Sequence, residues 1–106
     1  MSVNLSQISI ALKEYLEQVY QDRLEQVILF GSRARGDAKP DSDFDVLIVL
    51  KAAFDYSQEI ERTSHFLSDL CLENDILISR AFVDSQTFES AKSPFFLNVK
   101  REGVVL

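Results

Sequence analysis

Cysteine, proline and glycine are scarce in this 106-residue sequence, which contains one, two and three of them, and tryptophan is absent. The single cysteine, Cys71, excludes an internal disulfide framework, and its apolar neighbours favour a buried thiol over a reactive one. The low glycine and proline content excludes collagen-like and low-complexity chains. With 46% hydrophobic and 26% charged residues, the composition is typical of one ordinary globular domain, predicted over residues 1–106.

Long apolar runs and positive charge are also lacking. No window approaches the roughly 18 apolar residues that a membrane span needs, and the N-terminus lacks the pattern of a signal peptide, so we expect a cytoplasmic protein without a membrane partner. The 11 Lys and Arg residues against 17 Asp and Glu residues give a net charge of −6. This balance opposes direct binding of nucleic acid, and a phosphate-handling protein with it would need metal ions or a local arginine cluster.

The apolar pattern indicates an α/β chain with one small sheet. Residues at helical spacing predict two long amphipathic helices over 4–23 and 56–74, with Asn4 as a cap of the first. Apolar or β-branched runs predict strands at 27–30, 43–50 and 76–83, with a further short edge strand at 104–106.

The C-terminal part carries helix signals. Asp84 or Ser85 can cap a short helix after the third strand. Ser93 and Pro94 place a cap and a first-turn proline before a helix over 95–101, and Gly103 lies where that helix should end.

The same helix contains a dense apolar patch. Phe95, Phe96 and Leu97 lie within the stretch from Pro94 to Val99, so a helix there is apolar on more than one side. The pattern leaves open whether these side chains pack in the core or form an interface with a partner.

The segment whose residues could form a catalytic site is GSRARGDAKPDSDFDVLIVL, residues 31–50. Because side chains alternate along a strand, Asp43 and Asp45 project from one face. Two carboxylates about 4 Å apart at an effective dielectric near 20 repel by about 4 kcal/mol, so the pair should share a proton or hold a cation. Mg²⁺ uses one or two carboxylates plus water and phosphate, and two ions about 4 Å apart could clamp an in-line phosphoryl displacement.

A Gly-Ser bend precedes the pair of carboxylates. Gly31 and Ser32 follow a buried strand, where backbone N–H groups and a hydroxyl can hold phosphate oxygens. Arg33 and Arg35 add local positive charge. A lone Gly-Ser is usually a turn and a lone Asp-x-Asp is usually a solvated strand end, but their coupling within 15 residues favours a functional site.

Two other phosphate or metal motifs are excluded by their residues. The spacing from Gly31 to Gly36 matches a P-loop, but Asp37 and Ala38 occupy the positions of the required Lys and Ser/Thr. The acidic run from residue 41 lacks the glycine and the bidentate Glu of a calcium-binding loop, where Val46 and Ala52 stand instead.

Gly31-Ser32 followed ten residues later by Asp43-Phe44-Asp45 resembles the motif of the minimal nucleotidyltransferases of the DNA polymerase β-like superfamily. The resemblance implies a polymerase β-like palm fold, a small mixed sheet flanked by helices. It also implies transfer of AMP from ATP with Mg²⁺ and release of pyrophosphate. Gly31 and Ser32, supported by Arg33 and Arg35, would then bind the nucleotide, and Asp43 and Asp45 would be the metal-binding catalytic carboxylates.

The resemblance implies a protein partner as well. Many stand-alone members resemble antitoxins that neutralise a HEPN-domain ribonuclease by binding it and AMPylating a tyrosine. We therefore expect ATP and a HEPN toxin as partners, in a hetero-oligomer. The alternative is a catalytically weak or inactive module that neutralises its partner by binding alone.

One departure from the family pattern concerns the third acidic residue. Active members usually place it on a later strand, where it binds metal or acts as a general base. The aligned positions here, Ser79 to Ala81, are not acidic, and Asp75 lies at the far end of the predicted strand. Asp75 is the candidate for a third catalytic carboxylate, and a cap after the helix is the alternative. Without a third acid, the domain would bind nucleotide but transfer it slowly.

Overall fold

The structure, a computed structural model, describes residues 5–106, which form helices and strands in mixed order. The elements are α1 (Leu5–Tyr20), a 3₁₀ turn (Gln21–Arg23), β1 (Leu24–Phe30), α2 (Ser32–Arg35), β2 (Phe44–Leu50), α3 (Tyr56–Asn74), β3 (Ile78–Asp84), α4 (Ser85–Ser90), α5 (Pro94–Glu102) and β4 (Val104–Val105). The predicted cap Asn4 lies outside the described residues. None of the helices in residues 5–106 is long and apolar enough to cross a membrane.

The four strands form one mixed sheet in the order β3-β2-β1-β4. β1 runs antiparallel to β2 and to β4, whereas β2 and β3 are parallel. The expected small mixed sheet flanked by helices is therefore confirmed. Its register places Asp45 between Phe30 on β1 and Ser79 on β3.

Both faces of the sheet are covered, which explains why β2 is apolar almost without interruption. Phe44, Val46 and Ile48 face the cluster formed with α1 and α3. Leu47 and Val49 face the cluster formed with α4 and α5. Burying each such aliphatic side chain contributes about 1.5–3 kcal/mol, so β2 is the central element of the core.

The predicted elements are present, but their ends shift. The first helix, predicted to reach residue 23, ends at Tyr20, because Gln21 adopts a positive φ of 51° and residues 21–23 form a 3₁₀ turn. β1 begins three residues earlier than the apolar run because Leu24 pairs with Leu50 in the antiparallel ladder. β3 begins at Ile78 rather than Ile76 because Asp75 adopts a left-handed conformation, with φ of 50°, at the end of α3.

The capping predictions for the C-terminal helices are also confirmed. The side chain of Asp84 accepts a hydrogen bond from the backbone N–H of Thr87, and Ser93 caps α5 ahead of Pro94. Gly103 ends α5 with an ordinary negative φ. Its lack of a side chain matters because a Cβ atom there would collide with the carbonyl oxygen of Val99 and with Ile28.

A buried polar network links α1 to α3, and the sequence pattern did not predict it. Tyr20 and Glu59 are each 2% exposed, and the Tyr20 hydroxyl donates to Glu59 Oε1 at 2.7 Å. Arg62 Nε also donates to Glu59 Oε1, at 3.0 Å. Burial, followed by the hydrogen bond to Glu59, raises the pKa of Tyr20, so this residue stays a neutral donor.

Replacing Tyr20 tests how much this network contributes to the free energy of unfolding. Tyr20→Phe removes the donor and leaves a buried carboxylate oxygen of Glu59 with one partner fewer, so we expect a loss of about 1–3 kcal/mol in the free energy of unfolding. Urea denaturation would measure it. The control is Tyr15→Phe on the same helix, whose hydroxyl makes an exposed bond to the carbonyl of Arg62; an equal loss in both variants would contradict the assignment.

Candidate active site

The bend between β1 and α2 lies directly against the carboxylate of Asp45. Gly31 adopts φ of 78° and ψ of −159°, and a Cβ atom at this position would lie 2.6 Å from Asp45 Oδ2. The left-handed φ and the close approach both require glycine. The predicted juxtaposition of the Gly-Ser bend with the Asp-x-Asp strand is therefore present in the fold.

The short helix α2 begins immediately after this bend. The Gly31 carbonyl accepts from the N–H groups of Ala34 and Arg35, both at 3.1 Å, and Gly36 ends the turn in a left-handed conformation. The first N–H groups of a helix have no acceptor within it, so those of Ser32 and Arg33 can bind an anion. Ser32 is half-buried beside them.

Asp43, immediately before β2, and Asp45, its second residue, differ in exposure. Asp43 is exposed, whereas Asp45 is half-buried. Burial, and secondly the charge of Asp43, raise the pKa of Asp45. Two coupled carboxylates beside a bend suit an oxygen-preferring divalent cation such as Mg²⁺, which would offset the unfavourable charge.

The two predicted nucleotide-binding arginines have different surroundings. Arg33 donates from Nη2 and Nε to the carbonyl of Ser42, at 2.9 and 3.3 Å, and from Nη2 to the carbonyl of Pro40 at 3.4 Å. It therefore holds the loop that carries Asp43 against α2. Its role in nucleotide binding stays a prediction.

Arg35 is exposed, and its contacts are surface ion pairs. It lies 3.3 Å from Asp37 and 3.5 Å from Glu102. Such pairs contribute about 0–1 kcal/mol, so Arg35 can exchange them for a phosphate at little cost.

Asp75 and Ser79 occupy different places relative to the carboxylate pair. Ser79 is the β3 neighbour of Asp45 in the parallel register. Asp75 is the exposed cap of α3, beside a cavity of about 390 Å³ lined also by residues 40–42, 76 and 77. Within residues 5–106, no three His, Cys, Asp or Glu side chains come together as a metal-binding group. The structure thus does not bring Asp75 together with Asp43 and Asp45, and its catalytic role stays a prediction.

A family model described as a nucleotidyltransferase domain matches residues 9–100. Two proteins of Methanocaldococcus jannaschii are similar over most of their length. "Putative protein adenylyltransferase MJ0604" is 38% identical over 101 residues, 91% of this chain and 94% of the relative. "Putative protein adenylyltransferase MJ0141" is 36% identical over 92 residues, 87% of this chain and 88% of the relative.

Solved structures share the fold. A crystal structure described as "a putative nucleotidyltransferase from Sulfolobus solfataricus" has a TM-score of 0.62 at 23% identity, over 93% of this chain and 76% of the other. A mutant of the toxin-antitoxin MntA-HpeT has a TM-score of 0.57 at 21% identity, over 91% and 69%. A toxin-antitoxin structure with AMP-PNP has a TM-score of 0.58 at 20% identity, over 88% and 68%.

The contact between Gly31 and Asp45 can be tested by coupled substitutions. Gly31→Ala adds both backbone strain and a clash with Asp45, whereas Gly36→Ala, at φ of 85° with nothing within 4 Å of its Cβ, adds strain alone. We expect Gly31→Ala to lower the free energy of unfolding by at least about 1 kcal/mol more than Gly36→Ala.

The double variant Gly31→Ala/Asp45→Ala completes the test. It should be less destabilised than the sum of its single variants, because the clash disappears with the Asp45 carboxylate. Strict additivity in urea denaturation would show that the two residues are not in contact.

Proposed function

The chain belongs to the nucleotidyltransferase domain family, and on that basis we propose that it transfers AMP from ATP to a hydroxyl of a partner protein. The observation that carries the proposal is the approach of Asp45 to the Gly31 bend. This approach supports the proposal because the carboxylate that we assign to metal lies beside the turn that we assign to phosphate. The protein acceptor is supported by the names of the two similar Methanocaldococcus proteins.

The residues of the site have distinct roles in this reaction. Ser32 and the first N–H groups of α2 bind phosphate oxygens, and Arg35 supports the leaving pyrophosphate. Asp43 and Asp45 would hold Mg²⁺, expected from the sequence as two ions, which would supply charge neutralisation at the transferred and leaving phosphates. The acceptor oxygen bonds to the α-phosphorus, the bond from the α-phosphorus to the oxygen bridging to the β-phosphate breaks, and pyrophosphate leaves. The hydroxyl proton passes to a general base.

The proposed acceptor is a HEPN-domain ribonuclease toxin, with this chain as its antitoxin. The motif resemblance supports this pairing. Two neighbours in fold are also toxin–antitoxin structures, one of them with AMP-PNP.

A second candidate function is neutralisation by binding alone. The observation that favours it is Ser79, which faces Asp45 where a third carboxylate would complete the site. Under this alternative, inhibition of the partner persists without ATP and without the carboxylate pair.

Incubation with α-labelled ATP and Mg²⁺ tests the proposal directly. The chain, co-purified with the product of its neighbouring gene, should label that partner, and Asp43→Asn/Asp45→Asn should reduce labelling by at least about 100-fold because the metal ligands are lost. Asp41→Asn is the control, since it removes an exposed carboxylate two residues before the pair. An unlabelled partner, or equal labelling by the double variant, would refute transfer.

The third carboxylate has its own test. We expect Ser79→Asp to raise the rate of AMP transfer, because it places a carboxylate in register with Asp45. Asp75→Asn provides the comparison. A fall of about 100-fold in Asp75→Asn at unchanged KM for ATP, with no gain in Ser79→Asp, would give the general-base role to Asp75 instead.

A further inference from the structure

The side chain of Arg33 is attached to the loop that leads into β2. Its Nη2 atom donates to the carbonyl of Ser42 at 2.9 Å and to the carbonyl of Pro40 at 3.4 Å, and its Nε atom donates to the Ser42 carbonyl at 3.3 Å. A guanidinium is planar and rigid, so two of its nitrogens on one oxygen restrict the direction of that carbonyl as well as its distance. Arg33 therefore fixes one particular peptide group of the loop.

That peptide group carries Asp43. The carbonyl of Ser42 belongs to the peptide bond between Ser42 and Asp43, and because a peptide group is planar, holding its oxygen also restricts the Cα atom of Asp43. Asp43 precedes β2, which begins at Phe44. On the other side of Asp43, the N–H of Phe44 donates to the Leu77 carbonyl at 2.9 Å. Asp43 thus lies between two anchors, one of which is the Arg33 guanidinium.

The loop before Asp43 lacks the support of regular secondary structure. Residues 36–43 lie between α2 and β2 and belong to no helix or strand. The N–H of Ser42 donates to the Lys39 carbonyl at 3.0 Å, and the Ser42 hydroxyl accepts from the Lys39 N–H at 2.8 Å. Both bonds close a turn inside the loop and do not attach it to the sheet. Ordering such a loop costs conformational entropy, which the contacts with Arg33 partly offset.

Asp45 is held in a different way. It is paired with Phe30 of β1 and with Ser79 of β3 in the sheet, so strands on both sides fix its position. The location of Asp45 therefore does not depend on Arg33, whereas that of Asp43 does. Loss of the Arg33 contacts would change the spacing between the two carboxylates.

We propose that Arg33 is a positioning residue, whose side chain places Asp43 where it can hold Mg²⁺ together with Asp45. The proposal rests on the proposed nucleotidyltransferase function. It replaces the nucleotide-binding role that the sequence predicted for the Arg33 side chain. Outer partners that orient the ligands of a metal typically change metal affinity by about 10–100-fold when they are removed, so the effect is large enough to measure.

Replacement by lysine separates positioning from direct contact with phosphate. An ammonium keeps the positive charge but has one nitrogen on a flexible stem, so it cannot reproduce the two-nitrogen contact with the Ser42 carbonyl. A side chain that supplies charge to a phosphate is partly replaced by lysine, because lysine also binds phosphate as a point charge. We therefore expect Arg33→Lys to behave like Arg33→Gln if Arg33 positions Asp43.

The dependence of nucleotide binding on Mg²⁺ provides the measurement. Isothermal titration would follow an ATP analogue with a methylene group between the α- and β-phosphates, at low and at high Mg²⁺ and constant ionic strength. At low Mg²⁺ we expect Arg33→Lys and Arg33→Gln to bind it roughly tenfold more weakly than wild type. High Mg²⁺ should restore most of this loss, because mass action compensates for a weakened metal site but not for a missing phosphate contact.

Two further measurements show that the effect is local. Lys51→Gln removes an exposed positive charge just beyond the opposite end of β2 and should leave binding unchanged at both Mg²⁺ concentrations. Hydrogen exchange at the N–H of Ser42 should accelerate in both Arg33 variants, with no change in residues 46–50. Faster exchange throughout β2 would show a general loss of structure and would overturn the specific role of Arg33.

The remaining outcomes separate this proposal from the proposed function. If the Arg33 variants match wild type at low Mg²⁺, or are weakened equally at both concentrations, the positioning role is wrong. The metal and nucleotide site of the proposed function still stands in that case, provided that Asp43→Asn/Asp45→Asn abolishes the Mg²⁺-dependent binding. If the wild-type chain does not bind the analogue at either concentration, both proposals fail.

Discussion

The close packing of the Asp45 carboxylate against Gly31 is the constraint on which the site depends. It requires a residue without a side chain at the bend and a strand register that brings Asp45 opposite the end of β1. A wider bend would separate the N–H groups that we propose to bind phosphate from the oxygens that we propose to bind metal. Asp45 is half-buried, and desolvation followed by the charge of Asp43 raises its pKa, so a bound cation would make the site more favourable.

The sheet can hold an unfavourable pair of carboxylates because the rest of β2 is deeply buried. Residues 46–50 are all 1% exposed or less and pack on both faces against helices. This rigid strand fixes where Asp43 and Asp45 project, and Arg33 fixes the loop that enters it. Positional accuracy of this kind serves phosphoryl transfer, in which the protein contributes mainly positioning and charge stabilisation.

The α5 helix packs against the core and also borders the candidate site. The sequence left open whether the apolar patch of this helix packs in the core or forms a partner interface. In the structure, the residues of the patch are divided between different sides of the helix. Val99 is buried, whereas Phe95 and Leu97 remain exposed on different sides. Glu102 reaches Arg35 from this helix, so a residue near the end of the chain borders a bend near its beginning.

The sequence by itself determined the elements and the local motif. Apolar periodicity, caps and the spacing of Gly31 from Asp45 are properties of short segments, because strand alternation and turn chemistry act over a few residues. Only the tertiary structure decided which side chains meet across segments: that Ser79 rather than Asp75 neighbours Asp45, that Arg33 holds the loop while Arg35 stays exposed, and that Glu59 is buried against Tyr20. These outcomes depend on strand register and helix packing, which are set by contacts between residues far apart in the chain.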